Sequence, residues 1–238
     1  MDKLHLTEHI SQQFNEELED VRSKVLQMGG VVEEQLAHAV KAMVTADVEL
    51  ARQVVARDAT VNALEVEIDD ECTRIVARRQ PAASDLRLLM AVIRAINDLE
   101  RIGDEVKRVA KMVDEVMEGT LEEDVRQEIE HMGSQVRTML RQVLDAFART
   151  DVKAAIQVAR ADKKVDTKYR AITRQLITYM AQDPRSIPTV LNVLWAARAL
   201  ERVGDRCQNL AEYVIYLAIG KDVRHASLDD VMAELKSN

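Results

Sequence analysis

Glu100 and Asp104, and again Glu201 and Asp205, are the side chains in this sequence whose types and spacing most plainly suggest chemistry. Residues four apart on a helix share a face, so each pair sets two carboxylates side by side at a cost of about 0.2–0.5 kcal/mol. A hard cation taking oxygen ligands is the simplest way to offset that repulsion. Further acids stand upstream of each pair: Asp162 and Asp166 before the second, and Asp58, Asn62, Glu65 and Asp69 before the first. At about 100° per residue, positions 58, 62, 65 and 69 fall within an arc of about 60°, beside the apolar line of Val61, Ile68 and Cys72. Such a stripe, bordering a core-facing one, lets two helices pool carboxylates at the rim of a bundle. Oxygen-only ligation suits Mg, Mn, Ca or Fe better than a soft metal. The competing reading is a solvated acidic face, with Arg101 and Arg202 pairing locally. The repetition of Leu-Glu-Arg-Ile/Val-Gly-Asp in register favours the metal. Gly103 and Gly204 sit mid-helix, where glycine costs up to ~1 kcal/mol against alanine, and they imply a close helix crossing beside the acids.

No other constellation competes. The five histidines, at positions 5, 9, 38, 131 and 225, do not cluster. Glu128 and His131 form one ExxH, but a di-iron bundle needs two such elements plus further glutamates, and His131 reads as a surface residue. The sequence has no phosphate-binding glycine loop, HExxH or GxSxG. Trp195, between Leu194 and Ala196, reads as core, and the methionines on the apolar stripes read as packing.

The elements that must carry the acids are long helices, because punctuation is so sparse: 7 Gly, 3 Pro and 3% aromatic residues. In the first helix Ile10, Phe14, Leu18, Val21, Val25, Met28, Val32, Leu36, Val40 and Met43 recur in steps of three and four, making one apolar stripe. Asp47 is placed to cap a second helix, running to about Arg79 and stopped by Pro81. A third starts at Ser84 and Asp85 and ends near Gly119. The fourth carries Leu121, Val125, Ile129, Met132, Val136, Leu140 and Phe147. Asp151 caps a fifth that ends before Pro184, and a sixth runs from about Pro188 to Gly220. The expectation is an all-α protein of six long helices.

The two halves repeat each other. Met28-Gly29, Asp47-Val48, Gln53-Val54, Asp58 and Val61 recur 104 positions later as Met132-Gly133, Asp151-Val152, Gln157-Val158, Asp162 and Val165. The shift has become 101 where Leu99-Glu100-Arg101-Ile102-Gly103-Asp104 answers Leu200-Glu201-Arg202-Val203-Gly204-Asp205. This order of matches implies tandem, duplicated three-helix bundles, residues 1–118 and 119–220, followed by a polar C-terminal tail, 221–238. Within the tail, Ser227 to Asp230 offers only a short, frayed helix start.

A formal charge of -8 repels a phosphate backbone and argues against general nucleic-acid binding. Two cysteines, Cys72 and Cys207, form neither a disulfide framework nor a CxxC site and read as buried hydrophobes in a reducing compartment. The N-terminal residues carry no signal-peptide pattern, and no apolar run approaches the ~20 residues of a membrane span. The expected location is the cytoplasm.

The stretch Leu200–Tyr213 and its echo Leu99–Ala110 resemble the PhoU family of Gram-negative bacteria. So do His9-Ile10-Ser11, Gln13-Phe14-Asn15, Met28-Gly29-Gly30, Arg79-Gln80-Pro81, Ser84 to Leu88, Leu144 to Arg149 and Gly220 to His225, and the likeness runs end to end. It implies two similar three-helix bundles and a non-enzymatic negative regulator of the phosphate-starvation response. Such a protein acts as an adaptor between the ATPase subunit of a phosphate importer and a sensor histidine kinase, restraining uptake when phosphate is ample. It implies a homodimer that reaches the membrane only through its partners. It also implies divalent or iron cations (Mg, Mn, Zn or Fe) at paired E/DxxxD motifs. Those motifs fall here on Glu100 and Asp104 with Asp58, and on Glu201 and Asp205 with Asp162 and Asp166. Asn62 stands where the first set would have its second upstream acid, which weakens that set unless Glu65 or Asp69 substitutes. The rival readings are a carboxylate-bridged metalloenzyme and a generic helical scaffold. The first predicts turnover with stoichiometric iron; the second predicts no partner among transport and kinase components.

Overall fold

A computed structural model describes residues 2–116, 122–224 and 230, with side chains from Gln12 onward. Helix α1 spans Asp2–Thr45, α2 Val48–Arg79, α3 Ala83–Lys111 and the short α4 Val113–Val116; α5 spans Glu123–Arg149, α6 Val152–Gln182 and α7 Ile187–Ile219. A single 3-10 turn, Pro184–Ser186, precedes α7, and no strand occurs among the described residues. The all-α expectation holds. The inferred boundary at 118/119 and the segment Ser227 to Asp229 lie outside the described residues.

The local signals act as the sequence suggests. The Asp47 carboxylate accepts from the Leu50 N–H at 3.0 Å and Asp151 from the Ala154 N–H at 3.0 Å, satisfying one orphan donor at each helix start. Gln80, in the left-handed region at φ 48°, ends α2 just before Pro81, and Gly220 at φ 71° ends α7. The third helix departs from expectation, stopping at Lys111 rather than near Gly119. The Met112 N–H turns back to the Arg108 and Val109 carbonyls, both at 3.2 Å. The chain then bends into α4, which buries Val113 and Val116 in the core.

Helices α1, α3, α7 and α5 close a ring, each packed on the next, while α2 covers the α1–α3 side and α6 the α5–α7 side. One continuous apolar core runs through both sets of helices, with Leu18, Val21, Val25, Met28, Val32 and Leu36 of the expected stripe buried in it. The duplication shows in the contacts that join α1 to α5. A Cβ built on Gly29 would lie 2.4 Å from a Leu144 methyl, and one on Gly133 would lie 2.5 and 2.6 Å from the Val40 methyls. These are the same contact seen twice, since 29 and 40 correspond to 133 and 144. Arg22 donates to the Phe147 and Ala148 carbonyls at the end of α5, and Arg126 donates to Val44 at the end of α1. Orphan carbonyls at two helix ends are thus capped by the opposite half.

Alanine at Gly133 gains up to ~1 kcal/mol of helix propensity but overpacks a β-branched neighbour, at about 1–3 kcal/mol. We expect Gly133→Ala to lower stability in urea, Gly29→Ala to lower it less because Leu144 can turn away, and a Val40→Ala background to shrink the Gly133→Ala cost. An undiminished cost in that background would place the strain elsewhere.

Candidate metal centre

The second-half acids meet where α6 crosses α7. Val165 and Asp162 point from α6 toward the backbone of α7 at Gly204, where an added Cβ would stand 2.8 Å from Asp162 Oδ1. Glycine is needed there for the close approach foreseen from its mid-helix position. Carboxylate oxygens of Asp162, Asp166 and Asp205 lie within 4.8 Å of one another, and among the described residues this is the one such group of acids, histidines or cysteines. Asp162 is buried, Asp166 half-buried and Asp205 exposed, so the group forms a funnel with one dry end. Burial first, then Asp205, Asp166 and Glu201, push the Asp162 carboxyl up to about 7. Glu201 is raised by burial and Asp205. Asp205, at the rim, is raised chiefly by partial desolvation. Glu201 is turned aside: its Oε1 accepts from Arg198 Nη1 on its own helix.

Two atoms test whether these residues fit a cation. Asp162 Oδ1 and Glu201 Oε2 are buried and accept no hydrogen bond. A buried carboxylate oxygen without a donor costs about 1–3 kcal/mol, more when charged, and a hard cation beside Asp162 removes that penalty with the ligand type it prefers. The second set fits.

The first set is built differently. Lys107 on α3 reaches across to α2 and donates to Asp58 Oδ2 at 2.5 Å, with Asp104 Oδ1 4.0 Å away. The Asp58 hydrogen bond raises the lysine pKa. Glu100 and Glu65 are both raised, primarily by burial. Glu100, Asp104 and Asp58 are therefore not gathered as an open ligand group; the Lys107 ammonium binds Asp58 and faces Asp104. The motif register explains the difference, because Lys107 answers to Gln208 and Asn62 to Asp166. Gln208 instead donates to Glu212 at 3.2 Å. Asn62 and Asp69 are exposed.

Other expectations fare unevenly. Cys72 and Cys207 are buried and free, as expected, and His131 is on the surface. Trp195 is 54% exposed, not core: apolar neighbours in sequence do not fix which way a helix face turns. Arg202 makes its ion pair not with its neighbouring acids but with Glu105 of α3 at 3.0 Å, acting on Asp205 only through longer-range charge. Sequence reasoning missed the buried acids Asp98 and Glu105 that meet α7 arginines across the halves. The available signal was their position on the apolar side of α3.

An all-helical, internally duplicated bundle with an acid funnel between the last helices of its second half defines the class. The PhoU domain model matches residues 25–113 and again 129–214, so the chain belongs to the PhoU family. The "Phosphate-specific transport system accessory protein PhoU homolog" of Pseudomonas aeruginosa is 51% identical over 238 residues, covering 100% of this chain and 98% of that one. The Escherichia coli "Phosphate-specific transport system accessory protein PhoU" is 47% identical over 231 residues, 97% of this chain and 95% of its own. A crystal structure of PhoU from Pseudomonas aeruginosa superposes with a TM-score of 0.85 at 51% identity, covering 87% of this chain and 100% of that chain.

Proposed function

We propose that this chain is an accessory protein of a phosphate-specific transport system, and that it works without catalysis as a negative regulator. In this reading it is an adaptor between the importer's ATPase subunit and a sensor histidine kinase, restraining uptake and signalling when phosphate is ample. The observation that carries the reading is the likeness over the full chain to proteins named for that transport system. The architecture supports it. Two quasi-equivalent helical faces allow one partner on each, and coupling between them requires that each partner bind one state of the other more tightly. No helix among the described residues is long and apolar enough to cross a membrane.

Within that role we assign Asp162, Asp166 and Asp205 as ligands of one divalent or iron cation that ties α6 to α7, with Glu201 alongside. The cation supplies charge neutralisation and stiffness. For the first half we assign Lys107 as the built-in counterpart of that cation among Asp58, Glu100 and Asp104.

Alkaline phosphatase output in phosphate-rich medium tests the regulatory reading. A clean deletion is expected to give constitutive output, silenced again by the wild-type gene. Output that stayed low in the deletion would overturn the repressor assignment.

A further inference from the structure

A groove of the opposite kind of chemistry lies between α3 and α7. It encloses about 350 Å³ and is lined by Arg94, Arg101, Arg206 and Arg224 together with Asp98 and Tyr213. Four guanidinium groups gather there on a chain whose net charge is -8. Arg94 and Arg101 stand seven apart on one face of α3, Arg206 comes from α7, and Arg224 comes from the segment that follows it.

The local acids do not use up this charge. Asp98 accepts from Arg206 at 3.1 Å and from Tyr213 Oη at 2.8 Å. Asp222 binds Arg224 through two guanidinium nitrogens, at 3.0 and 2.6 Å, and is 4.0 Å from Arg94, which also stacks over Tyr216. Arg101 makes no hydrogen bond or ion pair among the described residues, and it acts on Glu65 and Glu100 only through longer-range charge. The duplication sharpens the point. Antiparallel packing pairs Glu105 with Arg202 across the seam. Under the shift of 101, the symmetry-related positions are Arg206 and Arg101. One side of the seam thus has acid facing base, and the other has base beside base.

We propose that this groove binds a phosphate group. A tetrahedral dianion accepts from several guanidinium forks at once, which a single carboxylate cannot do. The groove has room for a bare phosphate or for one carried on a small organic molecule such as a nucleoside phosphate. The groove is lined by none of the funnel acids Asp162, Asp166 and Asp205, so its failure would leave the regulatory and metal assignments standing.

The test is calorimetry on the full chain with EDTA present, titrating inorganic phosphate, AMP, ATP and adenosine at low and at moderate salt. Saturable binding of phosphate-bearing ligands, one per chain, with adenosine inert, is the expected result. Arg101→Ala and Arg94→Ala should each weaken it about tenfold or more, Arg101→Lys should weaken it too because the fork is lost, and Arg185→Ala should not. Thermal melts confirm that the variants are folded. Equal affinity for phosphate and nucleotides assigns the site to free phosphate; tighter nucleotide binding assigns it to a phosphate ester. Absence of saturable binding, or binding indifferent to Arg101 and Arg94, overturns the proposal.

Discussion

Metal-stripped protein titrated with Mn²⁺ is expected to take up one ion per chain, and the double variant Lys107→Gln, Asn62→Asp is expected to take up two. The reasoning starts from the asymmetry between the halves. In the second, Asp162, Asp166 and Asp205 converge within 4.8 Å and leave Asp162 Oδ1 without a donor. In the first, the Lys107 ammonium is 2.5 Å from Asp58 Oδ2. A site already filled by a tethered cation cannot gain from a free one. Binding to the folded state alone stabilises it by about 2.7 kcal/mol when the metal is at 100 times its Kd, which for a chain of this size raises Tm by about 5–10 °C. Asp205→Asn should abolish most of that rise while barely changing the metal-free melting temperature, because Asp205 is exposed. Lys107→Gln alone leaves Asp58 buried without its donor, a loss of about 1–3 kcal/mol. With Asn62→Asp added, Mn²⁺ should restore that loss. Two ions in the wild type, or a rise in Tm untouched by Asp205→Asn, would refute the asymmetric assignment.

Much of this was legible in the residues. Pro81, Asp47, Asp151 and Gly220 set helix ends because each acts on its own backbone within one turn, and that physics is local. The duplication and the repeated Leu-Glu-Arg-Ile/Val-Gly-Asp marked the acids and the close crossing at Gly204, but not one at Gly103, where an added Cβ would meet Val61 only at an ordinary 3.5 Å. What stayed hidden depends on which helices become neighbours across the halves. Lys107 reads as an ordinary surface lysine until α3 is laid on α2 and its ammonium meets Asp58. Arg22 and Arg126 read as solvated charges until each reaches the carbonyl end of the opposite helix. Trp195 was misplaced for the same reason: its helix is covered by α3, α5 and α6 on other faces, and nothing in its neighbours' hydropathy says where the cover stops. The arginines of the phosphate groove were visible as residues, but Arg101 and Arg206 come together only through antiparallel packing of α3 on α7.

Asp98 is expected to be the most sensitive single position on that seam. It is 3% exposed and belongs to α3, yet its partners Arg206, Asn209 and Tyr213 all belong to α7, at 3.1, 3.5 and 2.8 Å. Three residues spread over two turns of one helix are thus held by one carboxylate of another. Truncation removes more than a contact: it leaves the Tyr213 hydroxyl and one face of the Arg206 guanidinium desolvated beside each other's donors. Breaking a buried charge pair from one side costs about 3–5 kcal/mol; Arg206 keeps some access to water, so we place Asp98→Ala at about 3 kcal/mol. Asp98→Asn retains an acceptor and should cost less. Tyr213→Phe loses one hydrogen bond of the charged kind, about 1.5–3 kcal/mol. The double variant Asp98→Ala, Tyr213→Phe should cost clearly less than the two single losses added, because the phenol has no partner left to lose. Urea unfolding of the four proteins measures this. Strict additivity would mean that the two side chains stabilise the seam independently, and the carboxylate would then be one polar contact among many rather than the tie between the halves.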